Sequence, residues 1–304
     1  MVSALLQPGW REATREVQGV NLHVVEAGTQ GDPLLILLHG FPEFWWAWRY
    51  QIAPLAATGY HVVVPDMRGY NTSDAPQDVS VYTLDVLAAD VVALADAYGA
   101  NRFRLVGHDW GAVISWWVAA RYPDRIERVV VMDGPHPDVW GRQALTHPTQ
   151  ALRSTYVALF QLPWLPEASL AAFDFAGLRA MMQGSAHPDT FEPHALDRYA
   201  EAWAHPGSVA AMLNYYRALR EREHNANPAR LTPPTLIIWA ENDVFLERHV
   251  AEAGLALCDD GRLVVIEDAT HWVHLDKPER VNAELIAFLA APPPTTTAAP
   301  RRKD

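Results

Sequence analysis

Gly107-His108-Asp109-Trp110-Gly111 stands between an apolar run, Arg102 to Val106, and a helical pattern from about Trp110 to Arg121. An acid flanked by glycines at a strand-to-helix junction is the G-x-nucleophile-x-G arrangement. The glycines permit a sharp turn and close packing of helix on strand, which pushes Asp109 out over the sheet. Its residue type sets the chemistry. A carboxylate with a reference pKa of ~3.9 is ionised at neutral pH and attacks without help from a base. It suits displacement at a saturated carbon, which leaves an alkyl ester on the protein. Water must then hydrolyse that ester, and this step does need a base. A serine would instead be acylated at a carbonyl, so ordinary esterase and peptidase chemistry is disfavoured.

His271, in Ala269-Thr270-His271-Trp272-Val273-His274, follows the Leu263–Ile266 run and is the candidate base. His274 competes with it, and two histidines three apart raise the question of a metal. No third ligand has a suitable spacing, so neither a metal nor any other cofactor is expected. Asp243, just past the Thr235–Trp239 run, is the candidate acid that orients the imidazole. The chain order Asp109, Asp243, His271 is nucleophile, acid, base. Asp133, at the end of the Val129–Met132 run, is the rival for the acid. His39-Gly40-Phe41-Pro42 follows the Leu34–Leu38 run. The loop there and the residue after the nucleophile supply backbone N–H groups to an oxyanion in this topology, which nominates Phe41 and Trp110. Proline after Phe41 fixes the loop, at the kind of bond where a cis peptide can occur.

These residues need a scaffold, and the rest of the chain supplies its pattern. Val17 to Val25 reads as a hairpin turning at Gln18-Gly19. Leu34–Leu38 and His61–Val64 read as buried strands. Leu84, Leu87, Val91 and Leu94 recur at helical spacing, and a helix is expected from about Pro278 to Leu289. Alternating strands and helices predict an α/β fold with a mostly parallel sheet. The rhythm breaks between about Gly134 and Arg230, where helical segments and prolines replace strands. The expected organisation is a core made of residues 1–133 and 231–291, a helical cap over residues 134–230, and a low-complexity, disordered tail over 292–304.

Composition narrows the function. There are 24 Lys+Arg against 36 Asp+Glu, a net charge of −12 that argues against a nucleic-acid partner. One cysteine, Cys258, makes an internal disulfide impossible. The N-terminus lacks a signal-peptide pattern, and no run is long enough to span a membrane, which reads as a cytoplasmic protein without a membrane partner. Twelve tryptophans are many for 304 residues. Several adjoin the candidate catalytic residues or lie in the expected cap, which suggests an apolar cleft.

Taken together, His39-Gly40-Phe41-Pro42, Asp66-Met67-Arg68-Gly69-Tyr70, Gly107-His108-Asp109-Trp110-Gly111, Gly134-Pro135-His136-Pro137 and His271-Trp272-Val273 resemble the α/β-hydrolase superfamily, and within it the epoxide hydrolases. The resemblance runs from about Trp10 to Leu289. It implies an epoxide opened to a vicinal diol, with two cap tyrosines holding the ring oxygen. Tyr216, in Leu213-Asn214-Tyr215-Tyr216-Arg217, matches the second tyrosine, with Tyr215 as an out-of-register alternative. Tyr156, in Ser154-Thr155-Tyr156-Val157, looks like the first. The implied partners are a small apolar epoxide and water, in a monomer or a homodimer. Dehalogenases of the same superfamily share the aspartate nucleophile. Those acting on fluoroacetate have arginine where this chain has Trp110, and haloalkane dehalogenases have Asn or Glu where it has Phe41. A non-catalytic ligand receptor on the same fold is disfavoured by the intact Asp109 and His271.

Overall fold

Five strands of this protein are short, mostly apolar segments buried along nearly their whole length: β3 (Leu34–Leu38), β4 (His61–Pro65), β5 (Phe103–His108), β6 (Ile126–Met132) and β7 (Thr235–Ala240). Runs of this kind require cover on both sheet faces, and helices provide it. The computed structural model describes residues 5–221 and 230–291. The tail expected over 292–304 and the last stretch of the expected cap lie outside the described residues. With β1 (Arg11–Val17), β2 (Val20–Ala27) and β8 (Gly261–Ile266) the strands form one eight-stranded sheet, in the order β1-β2-β4-β3-β5-β6-β7-β8. Pairs β1·β2 and β2·β4 are antiparallel, and all others are parallel. The β1–β2 hairpin turns at Gln18 and Gly19, whose φ values of 49° and 74° are those of a type I′ turn.

Helices α1 (Ile52–Ala57), α2 (Leu84–Ala97) and α3 (Trp110–Arg121) connect successive strands from β3 to β6. The β6-to-β7 connection is instead a long insertion. It contains α4 (Pro137–Thr146), α5 (Pro148–Arg153), α6 (Thr155–Leu159), α7 (Leu165–Gly184), α8 (Ala195–Trp203) and α9 (Ser208–Arg217), with no strand among its described residues. A break at Ala172–Phe175 divides α7 into two pieces. Side chains tie the insertion to the core. Trp203 donates its indole N–H to the Pro42 carbonyl at 2.6 Å, and Tyr215 donates its hydroxyl to the Arg68 carbonyl at 2.8 Å. The chain then continues through α10 (Arg248–Leu255), α11 (Val273–Asp276) and α12 (Pro278–Leu289). Parallel strands end on one edge of a sheet, so the residues that follow β3, β5, β6, β7 and β8 converge there. Those residues include Phe41, Asp109, Asp133, Asp243 and His271.

Candidate active site

Asp109 sits at φ 50°, ψ −116°, between the end of β5 and the first residue of α3. A positive φ on a non-glycine residue costs of order 1–3 kcal/mol and persists only when neighbours enforce it. Here its N–H donates to the Met132 carbonyl and its carbonyl accepts from the Val113 N–H, both at 3.0 Å. Three chain segments press together so closely that none of their four glycines has room for a methyl group. A Cβ on Gly111 would lie 2.2 Å from the Leu38 carbonyl oxygen, and one on Gly107 would lie 2.2 Å from that of Gly111. On Gly134 it would be 2.5 Å from the Asp109 carbonyl oxygen, and on Gly40 it would be 2.5 Å from Asp109 Cβ. The Phe41–Pro42 peptide is cis, and the Phe41 N–H donates to Asp109 Oδ1 at 2.7 Å. Trp110 opens α3, where backbone N–H groups have no acceptor within the helix.

The other carboxylate oxygen, Oδ2, lies 3.6 Å from His271 Nε2. His271 Nδ1 meets Asp243 Oδ2 at 2.8 Å. Asp243 Oδ1 in turn accepts the N–H groups of Phe245 (2.7 Å) and Leu246 (3.0 Å). Burial alone would depress the His271 pKa, but the carboxylates of Asp243 and Asp109 overcome it and hold the imidazole well above its ordinary value. Asp133 has different surroundings. Its Oδ1 accepts from the Ala240 N–H at 2.7 Å, while Oδ2 is buried with no partner among the described residues. Burial, reinforced by the Asp243 charge, pushes its pKa well above the carboxylate range. The acid facing His271 is therefore Asp243.

Tyr216 is buried and Tyr156 half-buried, with ring centroids 5.9 Å apart. Burial raises both phenol pKa values, and the Asp109 charge adds to it in each case. Tyr215 points elsewhere, because its hydroxyl is committed to Arg68. A cavity of about 80 Å³ is lined by Asp109, Trp110, Val113, Trp140, Tyr156 and Tyr216, with Pro137, Leu219 and Leu246 among its other walls. A smaller one of about 20 Å³ is lined by Phe41, Met181, Phe245, His271 and Trp272, again with Asp109, Tyr156 and Tyr216. The three shared residues stand where the two spaces meet.

A family model described as alpha/beta hydrolase fold matches residues 33–278. The protein named epoxide hydrolase 4 of Homo sapiens is 36% identical over 283 residues, covering 89% of this chain and 76% of the relative. The chain belongs to the epoxide hydrolase family of the α/β-hydrolase superfamily. An AB hydrolase superfamily protein, YfhM of Bacillus subtilis, is 40% identical over 271 residues, with 89% of this chain and 95% of that protein covered. Among solved structures, epoxide hydrolase A from Mycobacterium thermoresistibile matches with a TM-score of 0.81 at 34% identity. That match covers 92% of this chain and 98% of the other.

Sequence reasoning missed several residues of this family member's site. His108 lies under His271, and both its ring nitrogens face acceptors. Nδ1 meets Glu43 Oε2 at 2.9 Å and Nε2 meets the His271 carbonyl at 2.8 Å. Burial would favour protonated Glu43, but the imidazoles of His274 and His108 outweigh it and hold the carboxyl well below the usual range. His274, 3.5 Å from Glu43 Oε1, is pushed down to about 4 by burial and by His108. It is thus part of this buried cluster and lines neither of the two cavities at Asp109. Glu43, His108 and His274 present potential metal-ligand atoms within 4.8 Å of one another. The 2.9 Å Glu43–His108 separation is that of a hydrogen bond, shorter than the ~3.3 Å expected between two ligands each ~2 Å from a tetrahedral metal. Polar residues inside an otherwise apolar strand end and loop were the available signal. Phe245 was also missed. Its ring stands 5.0 Å from that of His271 and 5.9 Å from that of Tyr156. The tryptophans divide. Trp110, Trp140 and Trp272 line the cavities. Trp45 and Trp48 are fully buried core residues, and Trp164 is 72% exposed.

Proposed function

We propose that this protein hydrolyses an apolar epoxide to a vicinal diol through an ester on Asp109. The observation that carries the reading is the setting of that one carboxylate. Oδ1 is held by the Phe41 N–H, Oδ2 faces His271, and two tyrosines stand across the same cavity. An oxygen of Asp109 attacks a ring carbon, and the C–O bond of the oxirane breaks. The departing alkoxide takes a proton from Tyr156 or Tyr216. Residues 134–230, which carry both tyrosines, act as the cap.

Forming the ester retunes the site. Asp109 loses its charge, and with it one cause of the raised His271 and tyrosine pKa values. The phenols become better acids as the alkoxide forms, and His271 gives up its proton more easily when a base is required. Neutral His271, oriented by Asp243, then takes a proton from water, whose oxygen attacks the ester carbonyl carbon. The N–H groups of Phe41 and Trp110 receive the oxyanion. Collapse expels the diol and restores the carboxylate, and the proton taken up by His271 passes back to the tyrosinate left by ring opening.

The test is an intact-mass measurement on His271→Gln incubated with an aryl epoxide. A gain equal to the mass of the epoxide is expected, and it should be absent in Asp109→Asn. No gain despite epoxide binding overturns the covalent route. The double variant Tyr156→Phe/Tyr216→Phe should lose ring opening by at least ~10²–10³-fold, the scale of a deleted oxyanion donor. Halide release from an alkyl halide in place of diol formation would redirect the reading to a dehalogenase.

A further inference from the structure

The loop Asp243–Glu247 carries the acid and places Phe245 against His271, so its backbone must be fixed. Where its hydrogen bonds go can be counted. The Phe245 and Leu246 N–H groups go to Asp243 itself. The Glu247 carbonyl accepts the Val250 N–H at 2.9 Å, and further bonds come from α5 of the insertion. Gln150 donates Nε2–H to the Phe245 carbonyl at 2.9 Å and accepts the Glu247 N–H on Oε1 at 2.8 Å. Arg153 donates Nη1–H to the Asp243 carbonyl at 2.5 Å. Thr149 donates its hydroxyl to Glu247 Oε2 at 3.0 Å. Gln150 is fully buried, although its helix has six residues and otherwise lies near solvent.

A buried glutamine needs partners for both ends of its amide. Here both ends reach one loop, two residues apart, as a paired strand would spend its own N–H and carbonyl, and Nε2 gives its second proton to Ser154 Oγ at 3.1 Å. We propose that Gln150, with Arg153 beside it, is a positioning residue for the Asp243–His271 pair, so that the insertion sets the competence of the base. The proposal rests on the reading of His271 as the base of ester hydrolysis. The insertion then has two roles. It supplies the tyrosines for ring opening, and it holds the machinery of the second step. Asp109 attacks without a base, so ester formation depends little on this clamp, whereas ester hydrolysis depends on it directly.

The test is Gln150→Met, similar in length but without the amide. Rapid-quench mass measurement on an aryl epoxide separates the two steps. Ester formation should stay within about threefold of wild type while ester hydrolysis slows at least ~10-fold, so that the ester accumulates during turnover. The downfield proton NMR signal of His271 Nδ1–H, which needs no substrate, should shift or broaden. Equal slowing of both steps, or unchanged hydrolysis with an unmoved signal, overturns the proposal. Should Gln150→Met fail to fold, the partly exposed Arg153→Met is expected to show the same split at smaller size, and an unsplit result there overturns it equally. If His271→Gln forms no ester at all, the catalytic reading fails, while the NMR signal still reports whether Gln150 positions the pair.

Discussion

Strands β6 and β7 lie side by side and parallel, and the segments that leave them carry aspartates at the same edge of the sheet. The two carboxylates have opposite surroundings. Asp243 receives two backbone N–H groups on one oxygen and an imidazole on the other. Asp133 receives one N–H, has a bare second oxygen among the described residues, and is driven toward its protonated form by burial and then by the Asp243 charge. Position on the sheet is nearly equivalent for the two. What separates them is the loop: the chain after β7 folds back to solvate its own aspartate, and the chain after β6 leaves into the insertion.

The sharpest break of this comparison is a pair of substitutions. Asp243→Asn should cut kcat by ~10³–10⁴-fold, as expected when the orienting acid of a triad becomes neutral. Asp133→Asn should stay within about threefold. Steady-state diol formation for the two variants checks both, and the reverse order of damage would transfer the acid role to Asp133. A middle-sized effect concerns His271. Its folded pKa is raised, so the stability it contributes is fully present below its unfolded value of ~6.5 and disappears as pH rises through the folded value. The melting temperature of wild type minus that of His271→Gln should accordingly shrink on going from pH 6 into the alkaline range. The smallest effect belongs to Asp133. Its folded pKa is also raised, so wild-type stability is lost as pH climbs above ~4. Asparagine keeps the acceptor for Ala240, tolerates the φ of 42°, and does not titrate. Urea midpoints from pH 4 to pH 8 should increasingly favour Asp133→Asn, and a widening wild-type advantage would contradict the assignment.

How legible the molecule is in its sequence varies by region for the same physical reason. Leu34–Leu38, Trp110–Arg121 and Pro278–Leu289 form their elements at the boundaries read from the residues alone. Burial on both faces, or one clear helical face, leaves an unambiguous apolar pattern. Most of strand β1 leaves no such pattern, because Arg11–Val17 is an edge strand with only Val17 buried. Helix α1 is six residues long, too short to show a period. The pair Asp243–His271 is legible in chain order, but the choice over Asp133 required hydrogen bonds made by loop backbone, which no residue type announces. The family pattern favours Tyr216 over Tyr215, and the structure adds that the Tyr215 hydroxyl is spent on Arg68. Gln150 gave no signal, since a glutamine in a polar helical segment reads as solvated surface until the structure shows it buried.

The absence of room for a methyl group at Gly40, Gly107, Gly111 and Gly134 bears on how such a protein can change over generations. The smallest possible enlargement at any of these points collides with backbone or with the Asp109 side chain, so drift there is opposed at its first step. Around Asp109 the four glycines form a shell in which any side chain is strained by sterics alone. Beyond Gly134, the described residues of the insertion face the same carboxylate across a cavity lined largely by side chains. Substitutions at Trp140, Val157 or Met181 can therefore reshape the cavities one side chain at a time, while the backbone around Asp109 stays fixed.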